Sequence, residues 1–501
     1  MRLKRPHSLW WGTVTLTVSA LTSRGLGLIY RMLLARFLGS EGLGIFQMIF
    51  PLYVALVTIA VAGTPVAISQ IVAEGKTPIR RLLRIATLIV LTISIPLMVL
   101  VIVWARPLAL TLYHDATMVP LLWAMAPALT AVALSSVLRG YFMGLQAMEY
   151  PAASQVAEQL TRVFILFILV NLAGRQLFSN PPLIAVLLIP LGEIISLAIL
   201  AYGYVHHRPA SAATPDFSTD IARSILHLSV PVTMGRLLSS FIGVIEATLI
   251  PLRLQLSGLS RAASLRYFGQ LTGMALPLIL FPTALTVSLS ANLIPAIAEA
   301  ISRHDTLKVH QYIQDSVSAT ALLTVPVTFV LLTLGLPLDD LFFGAQVSPA
   351  VFIPLVVGGF FLYFDIAFAG ILRGLSRTDL PLWNDLVASI VEIALIWILA
   401  SFPSRGREGI AVALALGFTL SCFLNLYQVM KLTQVRIAWL PVLGKPIVAS
   451  LPIWFVTPLW QSWLKSNGIG HLSILISSLL VASLVYFAGL RATGFHLSGL
   501  L

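Results

Sequence analysis

Apolar runs of about 20 residues recur from Leu9 to Leu490, and this recurrence limits the possible folds more than any other feature. As a helix, one such run spans the ~30 Å hydrocarbon of a bilayer. No water is available there, so each segment must satisfy its own backbone. Only helices and closed barrels can do so. A barrel would show short segments of alternating polarity, and these runs do not alternate. The chain therefore reads as an all-α polytopic membrane protein. Of its 501 residues, 58% are hydrophobic and 10% charged. So few polar residues cannot cover a soluble globule.

The first six spans fall at about 9–37, 43–73, 82–104, 118–145, 152–174 and 182–205. After a polar link, HHRPASAATPDFSTD, come spans at about 222–251, 267–300, 310–336, 348–374, 382–402 and 409–431. Two more, at about 441–463 and 471–490, bring the total to about fourteen. The expected organisation is an N-lobe (1–206, six spans), a cytoplasmic linker (207–221), a C-lobe (222–432, six spans) and two C-terminal helices (433–501). Six is even, so both lobes enter from the same side, as two pseudo-symmetric parallel repeats.

A duplicated motif supports the repeat. Gly140 to Pro151 (GYFMGLQAMEYP) and Gly370 to Pro381 (GILRGLSRTDLP) both read G-x-x-x-G-L-x-x-x-x-x-P. Each joins two apolar segments through a short polar elbow. The glycines, one turn apart, give a small face for close helix contact. Each proline suits a helix start, where its missing N–H costs nothing. Prolines also interrupt the second span (Pro51, Pro65) and the eighth (Pro277, Pro282, Pro295). Breaks of this kind suit packing kinks or a wet cavity.

With the N-terminus inside, cytoplasmic segments hold seventeen of the 31 Lys and Arg residues and outer segments nine. The positive-inside rule therefore places both termini in the cytoplasm. The net charge of +12 is read as topology and membrane-surface contact, with no nucleic-acid partner. The N-terminal MRLKRPH and its apolar run read as a retained first span. One cysteine, Cys422, excludes an intramolecular disulfide and a multi-cysteine metal site. No HExxH, Walker A or nucleophile-elbow motif occurs, and no cofactor, metal or enzymatic activity is expected.

Five arginines remain inside the spans: Arg24, Arg31, Arg139, Arg162 and Arg236. Each costs about 3 kcal/mol at mid-bilayer, so they should face protein or water. Arg24 and Arg31 are two turns apart on one face. Glu158 and Arg162 stand at i, i+4 and read as a structural pair. Glu193, Glu246, Asp365 and Glu392 also lie in apolar runs. Arg24, Arg31, Arg139 and Arg236 are the candidate ligands of an anionic substrate, because the guanidinium fork binds phosphate bidentately and stays charged. Snorkelling or structural ion pairing is the alternative for each. Glu158 and Glu246 are the candidate coupling or cavity acids.

Four stretches in order then resemble the stage V sporulation protein B group: SRGLGLIYRMLLARFLGSEGLGIFQMIFPLY, GTPVAISQIVAEG, LRGYFMGLQAMEYPAASQVAEQLTRV and GQLTGMALPLILFPTALTVSLSANLIPAIAEA. That group belongs to the polysaccharide-exporter branch of the multidrug/oligosaccharidyl-lipid/polysaccharide flippase superfamily. The resemblance implies fourteen helices with two six-helix lobes around a cavity. It also implies flipping of undecaprenyl-pyrophosphate-linked sugars, such as peptidoglycan lipid II or another envelope glycan precursor, across the cytoplasmic membrane. Related lipid II flippases use cavity arginines in their first, second and eighth helices. Arg24 matches the first directly, and Arg31 matches its neighbour with a one-residue shift. The other two would fall near Ala55 or Leu56 and near Pro277, where this chain has no arginine. In such flippases the last two helices form a groove for the lipid tail.

The expected function is thus alternating-access export of a lipid-linked anionic glycan, with the bilayer as partner and a proton or sodium ion as coupling partner. One alternative is a cation-coupled multidrug exporter of the same superfamily, which would want carboxylates where the first span has none. The other is a non-transporting scaffold recruiting envelope or spore glycan enzymes, in which Arg373 and Arg377 would matter more than the buried arginines.

Overall fold

The structure, a computed structural model, describes residues 9–75, 77–173, 180–206, 221–344, 347–402 and 405–494. Side chains at 9–21, Arg24, 172–173 and 231–232 lie outside this description, as does the expected linker at 207–220. All regular structure among the described residues is helical.

Among the described residues, thirteen helices are long and apolar enough to cross a membrane. The first, Gly25–Glu74, has 50 residues, a length of about 75 Å and twice what a bilayer holds. It is two spans. Helix α1 (Leu9–Val61) breaks at Gly39, whose φ of 67° and ψ of 177° only glycine adopts readily. Both arms are apolar, so both belong in the hydrocarbon, and Gly39 is where one helix ends and the next begins. The count becomes fourteen, as expected from the sequence.

The chain divides into two compact units, 1–248 and 249–501. In the first, α1 is followed by α2 (Thr64–Glu74), α3 (Ile79–Val103), α4 (Ala105–Leu112), α5 (Val119–Gly144), α6 (Glu149–Ile168) and α7 (Pro181–His206). Most of α8 (Ile221–Leu256) belongs with them. Helix α5 is central and packs against α2, α3 and α7. Gly63, at φ 66°, brings the start of α2 against the Ser229 carbonyl of α8.

The second unit contains α9 (Arg261–Phe268), α10 (Leu276–Leu280), α11 (Thr283–Ser302), α12 (Thr306–Phe343), α13 (Pro349–Gly374), α14 (Asp379–Leu399), α15 (Gly406–Thr433), α16 (Trp439–Ser466) and α17 (His471–Ala492). Here α13 is central, against α11, α12 and α15, while α16 and α17 pair on α12. The eighth-span prolines sit where the chain changes pitch. Pro277 opens α10 after a wide-pitched segment (Gly269–Ala275), Pro282 precedes α11, and Pro295 lies within α11.

The two elbows are built alike. In the first, the amides of Leu145, Gln146 and Ala147 donate to the carbonyls of Tyr141, Met143 and Phe142. In the second, those of Leu375, Ser376 and Arg377 donate to Ile371, Arg373 and Leu372. Gln146 and Ser376, 230 residues apart, share the left-handed conformation (φ 58° and 61°). Pro151 and Pro381 occupy the first turns of α6 and α14. Each glycine pair receives a neighbouring helix. A Cβ at Gly144 would lie 2.6 Å from Val72 Cβ of α2, and one at Gly374 would lie 3.0 Å from Ile297 Cβ of α11.

Candidate functional site

The first unit carries a buried charge cluster between α6 and α7. Arg162 Nη2 donates to Glu158 Oε1 at 2.9 Å and to Glu193 Oε1 at 3.2 Å. Both glutamates are buried. Arg162 also lies within electrostatic reach of Tyr30 and Tyr53 of α1. Gly192 makes room for it, since a Cβ there would come within 2.6 Å of Arg162 Nε. Burying three charges is tolerable only with this geometry, because an unmatched buried charge costs several kcal/mol. Arg139 on α5 turns to the same place, with Nη2 3.4 Å from Ser196 Oγ and Glu193 within electrostatic reach. Glu193 is the member that spacing along the chain does not announce, because it joins from another helix.

Arg31 differs from these. It is half-buried on the first arm of α1, inside a membrane span, and makes no hydrogen bond or ion pair among the described residues. Among the described residues its neighbour Tyr30 buries a hydroxyl without a partner, as does Ser23 two turns earlier. The same arm has Gly25 and Gly27, with open space where a side chain would begin. The side chain of Arg24 lies outside the described residues. On α8, Arg236 is exposed within a span, beside Gly235 with open space, and has no ion pair among the described residues. Glu246, one face further along α8, is half-buried and likewise without a described partner.

The second unit holds a polar cluster that the sequence reading did not assign. Ser421 Oγ of α15 lies 2.9 Å from Asp365 Oδ1 of α13 and 2.7 Å from Asp385 Oδ1 of α14. Asn425 Nδ2 donates to Asp365 Oδ1 at 2.7 Å, and Asn384 Nδ2 to Asn425 Oδ1 at 2.8 Å. A hydroxyl has one proton and cannot donate to two carboxylates at once. One of the two carboxylates is therefore left without that proton, and Arg373 lies within electrostatic reach of both. The available signal was the pair Ser421 and Asn425, one turn apart on an otherwise apolar helix.

Residues 9–301, more than half of the chain, match the family described as polysaccharide biosynthesis protein. The chain belongs to that family. Among its relatives is stage V sporulation protein B of Bacillus subtilis (strain 168), 30% identical over 440 residues, covering 85% of this chain and 84% of that one. Lipid II flippase MurJ of the same organism is 22% identical over 447 residues, covering 82% and 80%. Among solved structures, a lipid II flippase MurJ in an inward closed conformation overlays with a TM-score of 0.72 at 18% identity, covering 95% of this chain and 98% of that one. This polysaccharide biosynthesis family member is thus a multi-pass membrane protein with a MurJ-like helical fold.

Proposed function

We propose that the protein is a flippase that moves an undecaprenyl-pyrophosphate-linked oligosaccharide across the cytoplasmic membrane by alternating access. The observation that carries this reading is Arg31, a cation within a membrane span and without a described partner. An isolated charge at that depth is costly unless a ligand or water meets it. Pyrophosphate supplies two anionic groups for guanidinium forks. Arg24 stands two turns before Arg31, and Arg236 adds a third cation in the same unit. Arg139 is a weaker ligand because it leans toward Ser196 and Glu193. Sugars cross in water, while the prenyl chain stays in lipid. Both termini lie on the cytoplasmic side in this reading, as the lysine and arginine bias requires.

The coupling ion has two candidate places. Glu158 is engaged by Arg162 and suits a structural role. Glu246 has no described partner and remains a coupling acid. The Asp365–Asp385 pair adds a further candidate, because two carboxylates share one serine hydroxyl and its single proton. Binding drives transport only if it differs between the two access states.

The test is reconstitution of the full chain in liposomes with fluorescent lipid II, following its accessibility to an external quencher. Translocation that depends on protein and disappears in Arg24→Ala/Arg31→Ala is expected. Normal translocation by that double variant would remove the arginine site. Failure with lipid II and with other prenyl-linked glycans would move the scaffold reading to the front.

A further inference from the structure

The charge cluster of the first unit pairs its groups unevenly. Its two carboxylates and two guanidinium groups are enough for two ion pairs. Yet Glu158 and Glu193 both accept from Arg162, through the same Nη2 atom at 2.9 and 3.2 Å. Arg139 of α5 makes no ion pair among the described residues. Its one hydrogen bond there is the long 3.4 Å contact from Nη2 to Ser196 Oγ. The uneven pairing strands donors. Nε of Arg139, Nε of Arg162 and the Tyr30 hydroxyl are buried and unpartnered among the described residues. Tyr30 is within electrostatic reach of Arg162, and Arg139 of Glu193, so the three belong to one cluster. Buried donors are nearly always satisfied, and three orphans in one place need a reason.

The open edge of Arg139 supplies one. A guanidinium grips a carboxylate through a fork of two N–H groups. Arg377 holds Asp379 in this way, with Nε and Nη2 at 3.1 and 3.0 Å from its two oxygens. In Arg139 the same two atoms are the orphaned Nε and the Nη2 with its long serine contact. Ser196 marks where that edge points. Glu193 lies three residues before Ser196, on the same face of α7. Arg162 would keep Glu158, one turn before it on α6. Moving Glu193 across thus turns one doubly engaged arginine and one stranded arginine into two matched pairs. The buried charge does not change.

We propose that Glu193 exchanges partners, sitting on Arg162 in this structure and on the Nε–Nη2 edge of Arg139 in the opposite access state. The exchange ties α7 to α6 in one state and to α5 in the other. Arg139 is then a positioning residue that acts through Glu193. The link to access state rests on the flippase reading; the exchange itself does not.

Two measurements test this, and the first needs no transport. Glu158→Gln/Arg162→Gln removes one ion pair at constant net charge and leaves Glu193 with Arg139 alone. In that background Arg139→Gln should lower the melting temperature in detergent by roughly 4 °C more than in the parent protein. Arg139→Lys, which keeps the charge and loses the fork, should recover only part of that difference. An equal shift in both backgrounds, or full recovery by lysine, would overturn the proposal. The second measurement is translocation in liposomes by Arg139→Gln, Glu193→Gln and the double variant. Each single change should slow flipping about tenfold, and the double change by about the same factor, because all three remove one shared contact. A loss of about a hundredfold in the double variant, the product of two independent losses, would make Arg139 a separate substrate ligand and overturn the exchange. If the parent protein moves no prenyl-linked glycan, the flippase reading fails and the melting comparison decides the exchange. If the charge-neutral background does not fold, the translocation cycle decides it.

Discussion

Replacing Gly192 by alanine adds one methyl group to a helix and tests the charge cluster of the first unit. At an ordinary helical position this change gains about 1 kcal/mol, because alanine is the better helix former. At Gly192 the new Cβ would lie 2.6 Å from Arg162 Nε and 3.2 Å from the Cγ atoms of Arg162 and Glu158. The first distance is about 1 Å inside van der Waals contact, so the guanidinium must move by a similar amount. Overpacking of this kind costs about 1–3 kcal/mol. Full loss of the contacts to Glu158 and Glu193 would raise the cost to about 3–5 kcal/mol. Net of the helix gain, Gly192→Ala should destabilise by up to about 2 kcal/mol if the ion contacts survive and by about 2–4 kcal/mol if both are lost; about 2 kcal/mol is the expected value. For a unit of this size that lowers the melting temperature by roughly 4–8 °C, measured by fluorescence-detected thermal unfolding in detergent. The control is a cycle on a Glu158→Gln/Arg162→Ala/Glu193→Gln background, where the closest atom is gone. There Gly192→Ala should be neutral or stabilising by up to about 1 kcal/mol. Equal destabilisation in both backgrounds, or stabilisation of the parent protein, would refute the reasoning.

Arg31→Gln should raise thermal stability while lowering flipping, because removing an unmatched charge from a span gains about 2–3 kcal/mol; a structural arginine would give the opposite sign on melting. Asp365→Asn/Asp385→Asn should leave the protein folded and abolish the dependence of flipping on an imposed proton or sodium gradient, which gradient-jump assays in liposomes would read. Gly144→Ala places a Cβ 2.6 Å from Val72 Cβ and should cost about 1–3 kcal/mol in thermal unfolding. Gly39→Ala should cost a similar amount through backbone strain, with no side chain clash needed.

What could be read from the sequence followed physical lines. Spans are legible because hydrocarbon accepts only long apolar helices, and the repeat because Gly140, Gly144 and Pro151 recur as Gly370, Gly374 and Pro381. Glu158 and Arg162 are visible as candidates through their i, i+4 spacing alone. Glu193 could not be linked to them, because its approach depends on how α7 packs on α6. The same holds for Asp365, Asp385 and Ser421, which come from three helices. Arg31 and Arg162 look alike along the chain; only packing separates the one without a described partner from the one held by two carboxylates.

The break at Gly39 also bears on how the protein is made. A single non-helical residue joins the first two spans, so no loop separates them among the described residues. Two apolar spans joined this tightly are expected to enter the bilayer together, and crosslinking of chains arrested at increasing lengths would read the order of insertion. A junction this short offers little for a protease or an antibody to grasp. A tag inserted after Gly39 would therefore disturb assembly before it reported on topology.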